Sequence, residues 1–397
     1  MIVRQFLQWI RTAPSADRAD AASALVRAFL YSDLSPDDRA AAEGALLLLL
    51  DDASPIVRLA LAEAIASSDR APHSVVHGLA ADRPDIAAHI FQKSPLLTEG
   101  DLVDAVAGLL PLIQAAVAGR ALLQRSVAAA LAEVGSAEAC LILLENPGAV
   151  LVQFSLDRIV ARHGHLAAIR ETLLGRDDLP VPTRQALVAK LSQALAGFVS
   201  GRSWLDADRA ERIAKEACEK ATVTLAADST EVEVSALIRR LRQSDQLTAG
   251  LVLRALLCGN AAVFEEALAE LSGMPIDRVC GLVYAKGGAG LRAVFDKAGL
   301  PPTAFGAFRE AVDALREHGA SLPGPARLNR RMVERVLMRV EDDMTDEVDP
   351  LLTLLRRFAA EAARDEARMF CDQLAADDAI QPPMVDIRVS MDHRIAA

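Results

Sequence analysis

Histidine pairs are the first residues in this 397-residue chain whose spacing could support chemistry. His73 and His77 are four residues apart, a separation that places two imidazoles on one helix face for a metal ion. The residue after His73 is not Glu, so the HExxH metalloprotease motif is absent. The second pair, in "RHGH" at 162–165, fits a helix end, where cations are favoured. We therefore expect solvated or capping histidines and predict no metal site.

A glycine-rich stretch, "AKGGAG" at 285–290, superficially resembles a phosphate loop. It lacks GxxxxGK[ST], because no Lys-Ser/Thr pair follows its last glycine. We interpret it as a turn between helices that needs positive φ angles. The chain also lacks a GxSxG nucleophile motif. We therefore predict no catalytic residue and no cofactor.

The stretch "PARLNRRMVERVLMRV" at 325–340 predicts a basic amphipathic helix. Such a helix can bind an acidic partner, a membrane surface or nucleic acid. The alternative is internal neutralisation by the acidic run that follows at 341–349. The candidate partner-binding residues are the five arginines of this stretch: Arg327, Arg330, Arg331, Arg335 and Arg339.

Composition favours helices over sheets. Hydrophobic residues make up 52% of the chain but aromatic residues only 4%, so the apolar content is mainly Ala, Leu and Val. The net charge of −11 argues against a nucleic-acid partner, which needs a concentrated positive surface. Five cysteines without paired spacing suggest reduced thiols in a cytoplasmic protein. No stretch predicts a signal peptide or a membrane span.

A residue pattern that marks the start of a helix recurs along the first half of the chain. In HEAT-type repeats an Asp opens the inner helix, and an Arg six residues later reaches toward the equivalent Asp of a neighbouring repeat. Asp52 and Arg58 have this spacing, and Asp178 and Arg184 repeat it. Weaker copies begin at Asp82, which lacks the Arg, and at Asn146. We therefore predict an all-α fold, a HEAT-like alpha-solenoid of antiparallel helix pairs in two lobes. The alternative is an irregular helical domain in which the Asp-to-Arg spacing is coincidental.

Shifts in composition divide the chain into five expected regions. These are a helical repeat lobe (1–200), polar connecting helices (201–245), a second helical lobe (246–340), an acidic linker with a C-terminal helix (341–379) and a mobile tail (380–397). A short N-terminal helix around Phe6 and Trp9 is expected to cap the first lobe.

Several ordered segments, among them "DDASPIVRLALAEAIA", "LLENPGAVL" and "LRAVFDKAGLPPTAF", resemble the alphaproteobacterial family called domain of unknown function 2336. The resemblance covers roughly residues 20–340. It implies a HEAT-like helical fold in a bacterial cytosolic protein and assigns no catalytic residue.

We expect a non-enzymatic scaffold or regulatory adaptor that binds another protein, of unknown identity, along stacked helices. The alternative is an enzyme or small-ligand-binding protein whose site is assembled from distant residues. A DNA-binding helical-repeat protein is a third possibility, against which the net charge weighs.

Overall fold

The computed structural model describes residues 9–10, 12–285, 287–318, 326–343 and 350–380. Helices account for most of these ranges, and the β structure within them is one isolated bridge between Leu123 and Ala149. The prediction of an all-α fold is therefore confirmed. The helix expected around Phe6 and the tail from residue 381 onward lie outside the described residues.

The described residues contain these α-helices: α1 (Ser15–Tyr31), α2 (Pro36–Leu49), α3 (Pro55–Ile65), α4 (His73–Ala80), α5 (Pro84–Lys93), α6 (Glu99–Ala107), α7 (Pro111–Ala118), α8 (Arg125–Val134), α9 (Ala137–Glu145), α10 (Gln153–His163), α11 (Ala167–Leu174), α12 (Val181–Gly201), α13 (Ala207–Ala227), α14 (Glu231–Gln243), α15 (Ala249–Leu257), α16 (Ala261–Ser272), α17 (Ile276–Val283), α18 (Ala289–Lys297), α19 (Phe305–His318), α20 (Arg330–Asp343) and α21 (Pro350–Ile380).

Proline fixes the first turn of several of these helices, because its ring presets φ and its missing N–H would be unpaired there anyway. Helix α2 begins at Pro36, and the Ser35 hydroxyl accepts a hydrogen bond from the amide of Asp38. Helix α3 begins at Pro55 in the same way. At the start of α3, Asp52 rather than Ser54 accepts a hydrogen bond with its side chain, from the backbone amide of Ser54.

The chain divides into two compact units, Met1–Lys215 and Glu216–Ala397, and the division falls within α13. In the first unit, helices pack on the helix two places further along the chain. One row of contacts runs through α1, α3, α5, α7, α9 and α11, and another runs through α6, α8, α10 and α12. A continuous apolar core extends from Ala19 to Leu187.

The second unit has its own core. Helix α14 packs on α16, α15 on α19, α19 on α20, and α20 on the long C-terminal helix α21. The rings of Phe264, Phe295 and Phe308 meet in this core, with centroids 5.2 to 6.1 Å apart. Helix α21 contributes the buried side chains of Leu355 and Phe358.

Residues 201–245, expected as polar connecting helices, contain α13 and α14. Helix α14 buries Val234, Leu237 and Ile238 against the rest of the second unit. The polar composition belongs to the solvent-facing side of an amphipathic helix, so it lowers the average hydropathy without removing the buried stripe.

Candidate partner-binding site at the start of the basic helix

The basic helix α20 begins at Arg330, so Arg327 precedes it and does not share its face at helical spacing. Asn329 sets this start. Its Oδ1 accepts a hydrogen bond from the amide of Met332 at 3.1 Å, and its carbonyl accepts from the amide of Val333 at 2.9 Å. The apolar stripe that the sequence predicts lies in the core, at Leu328, Met332, Val336 and Val340.

Arg335 is neutralised within the second unit. Its guanidinium lies 2.6 Å from a carboxylate oxygen of Glu310 and 2.6 Å from one of Glu317, both on α19. These bonds raise the pKa of Arg335. Arg339 also has an interaction and is not a free charge. Neither arginine is therefore an unoccupied cation for a partner.

Arg330 is neutralised in a similar way. It lies 2.7 Å from Glu334 on its own helix and 2.8 Å from Glu366 on α21. The acidic run at 341–349 supplies none of the carboxylates described so far. Its first member, Glu341, lies in α20 and pairs with Arg356 at 3.0 Å, and residues 344–349 lie outside the described residues. The described carboxylate partners of Arg330 and Arg335 therefore belong to α19, α20 and α21.

Arg327 and Arg331 are the other two arginines of the basic stretch. Both are exposed, and within the described parts of the chain neither has a carboxylate partner. They line a cavity of about 310 Å³ whose other walls come from the start of α20 and from α21. The remaining lining residues are Leu328, Asn329, Arg330, Ala362, Asp365, Glu366 and Met369.

The two carboxylates in this cavity are already paired. Asp365 lies 2.6 Å from the ammonium nitrogen of Lys220, and Glu366 binds Arg330. The charges without a described partner in the cavity wall are therefore the two guanidiniums of Arg327 and Arg331. A guanidinium with open donors binds carboxylate and phosphate groups in a bidentate way. The cavity can accordingly hold an anionic group.

A buried ionic network lies next to the cavity. The guanidinium of Arg254, on α15, donates to both carboxylate oxygens of Glu361 on α21, at 3.0 and 2.9 Å. Its side chain is 2% exposed and stacks over Phe358, 4.5 Å from the ring centroid. Lys220 reaches Glu361 at 3.1 Å and also binds Asp365, which lines the cavity.

The pKa of Glu361 reflects two opposing effects. Burial alone would raise the pKa of this carboxyl, but the hydrogen bonds and charges of Arg254 and Lys220 outweigh it and lower the pKa. Sequence reasoning missed this network. Its one visible signal is Arg254 inside the otherwise apolar run "LVLRALLC", and nothing local indicates a partner on α21.

In the first unit, the residues singled out for their Asp-to-Arg spacing connect adjacent helices. Arg18 binds both oxygens of Asp52, at 2.9 and 2.7 Å. Arg58 binds both oxygens of Asp82, at 2.6 and 3.1 Å. The guanidinium hydrogen bonds are the largest influence on the pKa of each aspartate and lower it. These side chains are structural contacts.

The second pair with this spacing makes different contacts. Asp178 binds Arg176, two residues earlier, at 2.9 and 2.8 Å. Arg184 donates to the backbone carbonyl of Leu179 at 3.0 Å. The expected link between helix pairs is therefore not formed by Asp178 and Arg184. Arg176 competes for the carboxylate because the loop before α12 places it close by.

Side chains that donate to backbone carbonyls make further links between helices. Arg120, Arg162 and Arg176 each reach carbonyl oxygens at the end of a helix 26 to 32 residues earlier. The amide of Asn146 reaches the carbonyls of Ala118 and Arg120. These donors satisfy helix-end acceptors that would otherwise lack partners. Asn146 was expected as a weak copy of the helix entry, whereas the arginine links were not foreseen.

The loops that precede α8 and α10 expose apolar side chains. A parallel bridge joins Leu123 and Ala149, and the Leu123 amide donates to the carbonyl of Gly148 at 3.2 Å. Because side chains alternate along extended backbone, Leu122 and Val150 point away from buried Leu123. Leu122 is 81% exposed, and Phe154 at the start of α10 is 66% exposed.

The histidines and the glycine run show no assembled chemistry. His73 and His77 are exposed, and His89 approaches Glu63 at 3.9 Å. Among the described residues, no group of three His, Cys, Asp or Glu side chains is placed to hold a metal ion. Gly287 and Gly288 have φ angles of 98° and 73°, which confirms the predicted turn between helices.

Comparisons with known proteins place the chain in a family. The model of a family described as an uncharacterised protein conserved in bacteria (DUF2336) matches residues 86–346. The chain belongs to this family. No curated protein and no solved structure matches it. Residues 86–346 of this DUF2336 protein include Arg254, Arg327 and Arg331 but not Glu361. Its described helices include none that is both long and apolar enough to cross a membrane.

Proposed function

We propose that this DUF2336 protein is a cytoplasmic, HEAT-like scaffold or regulatory adaptor that binds another protein and performs no catalysis itself. The partner presents acidic groups to Arg327 and Arg331. The observation that carries the proposal is the contrast within the basic helix. Arg330 and Arg335 are held by carboxylates of the chain, whereas Arg327 and Arg331 line a cavity and have no carboxylate partner among the described residues.

The packing of the first unit supports a scaffold. Contacts between helices two places apart are what a solenoid of stacked helix pairs requires. The carbonyl-capping arginines occur at the separation of successive pairs. Exposed Leu122, Val150 and Phe154 add the apolar contact area that protein interfaces use at their centres. The free cysteines fit a reducing compartment.

Affinity capture with matched variants tests the proposal. Purified full-length protein is immobilised and exposed to a lysate of the native bacterium, beside the Arg327→Glu/Arg331→Glu variant. The control is Arg209→Glu/Arg212→Glu, which reverses two exposed charges on α13. We expect the wild type and the control to retain the same partner and the first variant to lose it. Equal recovery by all three proteins would contradict the proposed site.

A further inference from the structure

The cavity beside α20 has a charge balance that selects among anions. Three arginines and two carboxylates line it, and each carboxylate is bound by a cation. Lys220 binds Asp365 and also Glu361, and Arg330 binds Glu366 and also Glu334. Arg327 and Arg331 together leave two positive charges without a described counter-charge. A carboxylate supplies one negative charge, whereas a phosphomonoester supplies between 1.5 and 2 near neutral pH.

We propose that this cavity binds a phosphoryl group, held by the guanidiniums of Arg327 and Arg331. The proposal rests on the proposed function, because it specifies the anionic group that the scaffold recognises. A phosphoryl group offers three acceptor oxygens, which two guanidinium forks can share, whereas one carboxylate offers two oxygens to four or more donors. The volume of about 310 Å³ leaves room for the group and the side chain that carries it.

The surrounding side chains make the cavity suitable for a charged group attached to a larger molecule. Ala362 and Met369 supply apolar wall on the α21 side, where the stem of a phosphorylated side chain can pack. Asp365 and Glu366 border the same space and repel an anion that approaches from their side. Their ion pairs reduce that repulsion, so the phosphoryl oxygens are directed toward Arg327 and Arg331.

The phosphoryl group can come from two sources, a phosphorylated residue of a partner protein or a free phosphate compound. Isothermal titration calorimetry of the full-length protein at fixed ionic strength separates them. The probes are inorganic phosphate, acetate as the single-charge control, and a short peptide centred on phosphoserine. We expect phosphate to bind more tightly than acetate. A tighter phosphopeptide assigns the group to a partner protein, and an affinity no better than that of phosphate assigns it to a free compound.

Two variants locate the site. In Arg327→Gln/Arg331→Gln we expect phosphate affinity to fall about tenfold or more, as the loss of charge-assisted hydrogen bonds predicts. The control Arg209→Gln/Arg212→Gln retains wild-type affinity. Unchanged thermal unfolding temperatures show that both variants fold.

The proposal is overturned if the wild type binds no phosphate, if acetate binds as tightly, or if the Arg327→Gln/Arg331→Gln variant binds phosphate like the wild type. These results are separable from the proposed function. A protein partner that is lost with Arg327→Glu/Arg331→Glu, together with no phosphate binding, would leave the scaffold in place and restrict its ligand to carboxylates.

Discussion

Arg254 and Glu361 are 107 residues apart in the chain, yet their side chains form a bidentate ion pair in which the arginine is buried. The pair joins α15 to α21, and α21 forms one wall of the cavity at the start of α20. A buried ion pair contributes little net stability compared with apolar packing, but it strongly penalises any arrangement that separates the partners.

Removal of one partner of this pair is expected to destabilise the second unit. Glu361→Gln leaves the Arg254 guanidinium buried without its counter-charge, and we expect a loss of ~3 kcal/mol in the free energy of unfolding. The double variant Arg254→Met/Glu361→Leu should lie closer to the wild type than Glu361→Gln does. Urea unfolding measures both. The control Asp296→Asn breaks an exposed pair with Arg292 and should change little. A double variant less stable than the single one would contradict the interpretation.

The Arg58–Asp82 contact is expected to stabilise the first unit. Both side chains are about 15% exposed or less, and the guanidinium binds two carboxylate oxygens. We expect Asp82→Asn to cost ~1.5–3 kcal/mol, the range for hydrogen bonds to charged groups. Glu133→Gln is the matched control, since it breaks the more exposed pair with Arg158 between α8 and α10. Equal losses in the two variants would show that burial of the ion pair is unimportant.

Acid should weaken the first unit through the same aspartates. The pKa values of Asp52 and Asp82 are lowered in the folded protein, so their stabilising effect is complete above the unfolded pKa of about 3.9. It is lost as the pH falls from there through the lowered folded values. We expect the free energy of unfolding to drop less in Asp52→Asn/Asp82→Asn than in the wild type between pH 5 and pH 3. Parallel pH curves would contradict this assignment.

Gly148 is expected to tolerate no side chain. A Cβ atom there would lie 1.9 Å from the backbone oxygen of Ala121, so Gly148→Ala must separate the two loops that the Leu123–Ala149 bridge joins. We expect a loss of ~2 kcal/mol, in the range of overpacked cores. Gly197→Ala, where no atom lies within 4 Å, should instead stabilise helix α12 by ~0.5–1 kcal/mol. Thermal unfolding of the two variants should therefore shift in opposite directions.

Local sequence patterns predicted the helical class, because neighbouring residues determine where a helix begins. Ser35 and Pro36 open α2 because the cap and the first-turn φ are set by those two residues themselves. The buried stripe of α20 follows from helical spacing. The spacing of Asp52 and Arg58 led to the expectation of a link between helix pairs, and Arg58 binds Asp82 in the structure.

Other features of the site depend on contacts that no local pattern encodes. Arg254 and Glu361 meet only after the second unit folds, and Arg120 binds backbone carbonyls, which are present at every residue. The division of the basic arginines into paired and unpaired ones also depends on packing. Glu310 and Glu366 neutralise their partners from α19 and α21, far from the basic helix in sequence.

Site-specific photo-crosslinking decides whether a partner protein contacts the start of α20. A benzophenone amino acid replaces Met369, on the α21 side of the cavity, in the full-length protein in the native bacterium, and a second protein carries it at Arg212 on α13 as the control. We predict one discrete adduct from position 369, whose partner is also the protein captured by the wild type, and no such adduct from position 212. No adduct at position 369, or the same adducts from both positions, would contradict the proposed binding site.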